Sequence, residues 1–162
     1  MKIKSLSFSL LLLLFGMGSF GQSIKIDGEI RPRAEFRNGY KTLPPTDAKA
    51  AFAISQRTRL NAFYTNKLFK AYISTQDIRV WGDVAQLDMG ASNKFGIHQA
   101  WGEFLFTEKF SVKLGRQELV YDDSRILGNV GWAQQARAHD LGLLKYETEK
   151  FKAHLGLAFN QQ

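Results

Sequence analysis

From residue 24 to residue 37 the chain alternates without a break between charged side chains and apolar or small ones. Ile24, Ile26, Gly28, Ile30, Pro32, Ala34 and Phe36 take one phase; Lys25, Asp27, Glu29, Arg31, Arg33, Glu35 and Arg37 take the other. Successive side chains of a strand point to opposite faces, so this segment predicts a strand with one apolar face and one fully ionic face. That combination is the signature of a transmembrane β-barrel wall, where lipid-facing and lumen-facing residues alternate.

The pattern returns more weakly along the chain. Further strands are expected over about 53–66, 68–81, 97–106, 110–119, 136–146 and 151–160, with no convincing helix. The phase slips near Asp77 and Arg79, which suggests a bulge or an aqueous strand end. The connections alternate too. Long, Gly-containing loops follow the first, third and fifth strands, the first also carrying Pro44-Pro45; short turns such as Asn66-Lys67 and Thr107-Glu108-Lys109 follow the second, fourth and sixth. Outer-membrane barrels have this layout, with short periplasmic turns and longer extracellular loops. Strands of about ten residues suit a tilted bilayer crossing better than a soluble sandwich, whose strands run to about five or six residues. Tyr64, Trp81, Trp101, Phe106, Phe110, Tyr146 and Phe151 sit near strand ends and are expected to form interfacial girdles.

Residues 1–21 read as a cleaved signal peptide. Lys2 and Lys4 give a positive start, residues 10–15 are an unbroken apolar run, and Ser19-Phe20-Gly21 offers a small-x-small cleavage site. The apolar run is too short for a comfortable membrane-spanning helix. Residues 22–162 are then the mature β domain. The chain has no cysteine, which excludes a disulfide framework and thiolate metal sites. Removing Lys2 and Lys4 takes the formal charge from +7 to +5, an excess suited to an acidic partner. Export argues against nucleic acid as that partner.

Seven strands would leave two free edges, and unpaired backbone groups in lipid cost several kcal/mol each. The expectation is therefore an all-β, antiparallel transmembrane barrel of which only about the first seven strands are present. An oligomer completing the barrel between chains is the competing arrangement.

A further set of residues lies in a recognisable order. Asp77-Ile78-Arg79-Val80-Trp81-Gly82 and His98-Gln99-Ala100-Trp101-Gly102-Glu103 precede Val112-Lys113-Leu114-Gly115-Arg116-Gln117. Leu119 to Gly128 carries Tyr121-Asp122-Asp123-Ser124-Arg125, then come Trp132 and Arg137-Ala138-His139-Asp140. This series resembles the alginate export family of outer-membrane porins. The resemblance implies a Gram-negative outer-membrane barrel, monomeric when full length, with many more strands. It also implies a lysine- and arginine-rich lumen that passes a polyanionic uronate polymer. The chain departs from the family in being far shorter, and the family includes many proteins whose cargo need not be alginate.

Arginine is always charged and binds carboxylates through paired hydrogen bonds, so a ladder of arginines offers many exchangeable sites to a uronate chain. The expected basic ladder is Arg31, Arg33, Arg57, Arg59 and Arg79 on polar strand faces, with Arg116, Arg125 and Arg137 at strand ends or loops. Asp77, Glu103 and Asp140 are the expected acidic partners within the lumen, where cross-strand pairs would stiffen the wall. The function expected is passage of anionic polysaccharide or small anions; the alternative is a non-conducting outer-membrane barrel with a surface binding or structural role. Catalysis is not expected. No nucleophile has a base in local sequence, His98, His139 and His154 stand on separate strands, and Asp122-Asp123 alone is too few carboxylates for calcium. No cofactor or metal is expected.

Overall fold

A computed structural model describes residues 22–39, 43–83, 86 and 95–159. The proposed signal peptide and most of the loop between the third and fourth strands lie outside the described residues. Seven strands are present among the described residues: β1 (Ser23–Arg37), β2 (Ala51–Thr65), β3 (Phe69–Val80), β4 (Gly96–Leu105), β5 (Phe110–Gln117), β6 (His139–Glu147) and β7 (Lys152–Ala158). They form one antiparallel sheet in chain order. The two edge strands, β1 and β7, do not pair with each other, so the sheet is open. No helix occurs among the described residues.

Register carries the alternation of β1 across the whole sheet. Ile26 lies opposite Ala62, Ala62 opposite Ile73, and Ile73 opposite Ala100, all on one face. On the other face Glu29 lies opposite Arg59, and Arg59 opposite Gln76. One irregularity interrupts the pairing of β3 with β4 between Ser74 and Thr75. Ser74 pairs with Gln99 and Thr75 with Ile97, leaving His98 as the extra residue of a bulge.

The short turns share one chemical device. Asn66 Oδ1 accepts from the amides of Leu68 and Phe69. Thr107 Oγ1 accepts from the amides of Lys109 and Phe110, and Thr148 Oγ1 from that of Phe151. Such side-chain-to-backbone bonds replace the ladder bonds lost at a reversal.

Burial is inverted relative to a water-soluble β domain. The apolar face is the open one: Ile24, Ile26, Ile30 and Leu157 are 72%, 68%, 73% and 77% exposed. The buried side chains belong mostly to the ionic face and its covering loop. They include Arg57, Ser74, His98, Gln99, Glu103, Ser111 and Gln117, with Ala133, Leu141 and Leu143 as the buried apolar residues among those described. Scattered exposed hydrophobics are ordinary, but a contiguous apolar face beside a buried polar one is not.

Candidate functional site: the ionic face

The charged side chains of β1 form ion pairs along their own strand. Arg33 Nε lies 3.0 Å from Glu35 Oε1, Arg37 Nη2 lies 2.6 Å from Glu35 Oε2, and Arg31 Nε lies 3.8 Å from Glu29 Oε1. β2 adds two arginines from the adjoining strand. Arg57 donates through Nε and Nη2 to Glu29 Oε1, at 3.0 and 2.7 Å. Arg59 Nε donates to Gln76 Oε1 at 3.0 Å, and its Nη1 lies 3.9 Å from Glu118 Oε1. Nε of Arg31 and Nη2 of Arg59 are buried with no hydrogen-bond acceptor among the described residues.

The loop joining β5 to β6 turns inward and lies on these arginines. Its segment 131–135, here called the strap, presents main-chain carbonyls to them. Arg31 donates to the carbonyls of Gly131 and Ala133 and to Gln134 Oε1, at 2.8, 3.0 and 3.1 Å. Arg33 donates to the Trp132 carbonyl at 2.8 Å. Gln134 Nε2 donates to Ser55 Oγ at 2.8 Å, and Gln76 Nε2 to the Gln135 carbonyl at 3.2 Å. Nothing in the composition of 131–135 signals this contact; the carbonyls that make it are common to all residues.

Glu118, immediately beyond β5, anchors the base of the same loop. Its Oε1 lies 2.7 Å from His98 Nε2, and its Oε2 accepts from Asn129 Nδ2 at 2.7 Å. Burial pushes the Glu118 carboxyl up. The hydrogen bonds from His98 and Asn129 and the charges nearby outweigh it and hold the group below the ordinary carboxylate value. His98 reaches Glu118 because the bulge turns it to the buried side beside Gln99.

Toward the other edge a second polar chain runs over β4 to β7. Glu103 Oε1 accepts from Ser111 Oγ at 2.8 Å and from Lys145 Nζ at 3.0 Å. His154 bridges Glu147 Oε1 and the Tyr121 hydroxyl, at 2.9 and 2.7 Å. Burial pushes the Tyr121 phenol above its ordinary value, with Lys145 opposing and Glu147 adding to the shift.

Four of the residues expected in the ladder come together. Arg31, Arg33, Arg57 and Arg59 share the ionic face, with Glu103 further along it. Four others do not join them. β2 and β3 pair without a slip from Ser55↔Val80 to Thr65↔Lys70, which keeps Asp77 and Arg79 in phase with Ile73 on the apolar face. There Arg79 Nε meets Asp77 Oδ2 at 2.6 Å. Arg116 lies opposite Ala100 and Asp140, again in the apolar phase, and Nη1 meets Asp140 Oδ2 at 2.9 Å. The expectation that these two pairs line the ionic face is thereby corrected. The charge pattern alone suggested the wrong phase because both pairs fall at strand ends, where the apolar run has stopped. Arg125 pairs with Asp123 within the loop, at 3.1 Å, and Arg137 is exposed just before β6.

Trp101 is also displaced from its expected place in a girdle. It belongs to the ionic face, opposite Tyr72, with ring centroids 5.6 Å apart. Phe63 completes this aromatic patch, and Lys113 Nζ sits 3.7 Å from the Trp101 ring centroid. Sequence reasoning missed Phe63, Tyr72 and Glu118. The register of β2 to β5 is what reveals them. Among the described residues, no three His, Asp or Glu side chains converge as metal ligands.

No protein-family model matches this chain, and no curated protein matches it.

Proposed function

We propose that this chain forms part of the wall of an outer-membrane β-barrel, its apolar face against lipid and its ionic face toward an aqueous lumen. The inverted burial is the observation that carries the reading. Lipid stabilises an apolar face that water would not, and an open sheet with this face hydrated exposes a very large apolar patch.

The aromatic residues of the apolar face support it. Tyr64, Phe69 and Phe104 form one cluster at the short-turn end, Phe106 and Phe110 a second, Tyr146 and Phe151 a third. At the opposite end Phe36 and Phe52 face each other across β1 and β2. The rise from Tyr64 to Phe52 along β2 is about 40 Å, or about 28 Å for a strand tilted by ~45°, close to the apolar band of ~25 Å in such barrels. The Arg79–Asp77 pair falls at the long-loop end of that span. Arg116 and Asp140, at the ends of β5 and β6, neutralise each other.

The lumen would favour anions. Arg31, Arg33, Arg57 and Arg59 concentrate guanidinium groups on one face, and Arg31 Nε and Arg59 Nη2 retain unmet hydrogen-bond capacity. Guanidinium matches carboxylate in charge and in fork geometry, so the cargo class is an anionic saccharide, as in the alginate export type of porin, or small anions. The reading includes export by residues 1–21, an outer-membrane location, and further strands or further chains to pair with β1 and β7.

The test is the reversal potential of the purified protein in planar bilayers under a salt gradient. Anion preference supports the proposal. Cation preference contradicts it, and an inserted protein without conductance would favour a non-conducting barrel with a structural or binding role.

A further inference from the structure

We infer that the strap 131–135 is a displaceable internal lid, and that an oxyanion competes with it for Arg31, Arg33 and Arg57. The inference rests on the reading of the ionic face as an anion-binding lumen, and adds the regulation of that site.

The first observation is the nature of the bonds. These guanidinium groups are held partly by main-chain carbonyls, which are neutral acceptors. A carboxylate accepts from guanidinium through charge-assisted bonds that are roughly twice as strong as neutral ones. The carbonyls of Gly131, Trp132 and Ala133 therefore occupy donor positions that an anionic ligand would fill better. Arg57 keeps Glu29 as its main acceptor, at 2.7 Å, while its bonds to the strap are long at 3.3 and 3.4 Å. Arg31 is the principal exchangeable group: among the described residues its hydrogen bonds run to the strap, and Glu29 stands off at 3.8 Å.

The second observation is strain at both ends of the strap. Val130 has φ of 52° and Ala136 φ of 54°, the left-handed region that side chains with a Cβ rarely adopt. For a β-branched residue such as Val130 this is a genuine outlier. Such conformations persist only where surrounding contacts over-determine them, and they concentrate at switch segments. Here the arginine bonds, together with those of Gln134 to Ser55 and Gln76 to the Gln135 carbonyl, hold the strap down.

The third is mechanical. The Arg137 amide donates to the Asn129 carbonyl at 2.7 Å, pinching the loop at its base, and Asn129 is tied to Glu118. The strap can lift as one unit about this base without unravelling β5 or β6. A cleft of about 470 Å³ already runs beside it, with Arg33, Ser55 and Trp132 on its wall. Glu35 also lines the cleft, held between Arg33 and Arg37. A volume of this size is within the usual range for a small ligand.

The chain has no native cysteine, so one introduced thiol reports on the strap alone. Ala133 is buried in the lowered position, at 8% exposure, and its side chain makes none of the bonds described. In the Ala133→Cys variant, reconstituted in lipid, the rate of modification by a water-soluble maleimide measures the lifted population. The probes are a galacturonate oligomer and, for comparison, a neutral dextran; binding of each is followed separately by calorimetry. The expected result is a rise of about tenfold in labelling at saturating uronate, no change with dextran, and a high rate without ligand when Arg31→Ala is added. Uronate that binds without changing the labelling rate overturns the lid while leaving the anion-binding lumen standing. Absence of uronate binding, with Arg31→Ala still freeing the thiol, overturns the lumen reading and the competition together. Heat-modifiable gel migration of each variant verifies that it has folded.

Discussion

Arg57 of β2 grips Glu29 of β1 through two nitrogens, yet the partners are unequally placed: the Arg57 side chain is 6% exposed and that of Glu29 is 36% exposed. Removing the more exposed partner strands a buried charge, whereas removing the buried one leaves a carboxylate that still meets water and Arg31. Glu29→Ala is therefore expected to cost about 3 kcal/mol and Arg57→Met only about 1 kcal/mol. Urea unfolding of the protein in detergent or lipid, with m-values checked for constancy, measures the asymmetry. Equal costs would show that the pair acts as an ordinary surface bridge.

Glu118 gives the fold an acid-sensitive fastening. Its carboxyl is held below the ordinary value of 4.5, so its charged form is preferred in the folded state. The resulting stabilisation is fully present above that ordinary value and is lost as the pH falls through the lower folded value. Wild-type stability should therefore decline in acid, from about pH 5 downward, more steeply than that of Glu118→Gln. Parallel stability profiles for the two proteins would remove Glu118 from this role.

Gly115, within the Gly-Arg-Gln strand end, has a backbone reason to be glycine. Its φ is +119°, and a Cβ there would stand 2.3 Å from the Ala100 carbonyl oxygen on the neighbouring strand. Gly115→Ala is expected to destabilise by about 3 kcal/mol or more, since neither backbone can yield without breaking the ladder. At Gly96 nothing lies within 4 Å of a new Cβ, so Gly96→Ala is expected to change stability by less than about 0.5 kcal/mol. Thermal or urea unfolding of the two variants side by side decides it.

The alternation of β1 made the sheet legible, because a period of two leaves no freedom in which residues share a face. Turn residues such as Asn66 and Thr107 placed the reversals for the same reason: their side chains form the local bonds that end a strand. The phase of Arg79 and Arg116 was not legible. Charge predicts a face only while the opposite face must stay apolar, and at strand ends that requirement lapses. β6 starts at His139 rather than near residue 136, since the positive φ of Ala136 still belongs to the preceding loop. The strap was not legible either, because main-chain carbonyls are its acceptors and they leave no trace in residue type. Trp101 looked like a girdle residue by its position near a strand end; register alone puts it with Tyr72 and Lys113.

Ile30 stands near the middle of β1, 73% exposed on the apolar face. On a water-facing surface Ile30→Arg would change stability by no more than about 0.5 kcal/mol. Against lipid near the midplane it is expected to cost about 2–4 kcal/mol. Folding equilibria in phospholipid vesicles distinguish these values, and the smaller one would count against a lipid-facing β1.

The most direct measurement is a cysteine scan of β1, with a spin label at each position from 24 to 37 in turn, in lipid bilayers. Collision with dissolved oxygen, which concentrates in lipid, is expected to peak at Ile24, Ile26, Ile30 and Ala34. Collision with a water-soluble nickel chelate is expected to peak at the intervening charged positions, least at Arg31 and Arg33 under the strap. Two out-of-phase profiles of period two are the predicted result. Equal access of the nickel chelate to both faces would contradict a membrane wall.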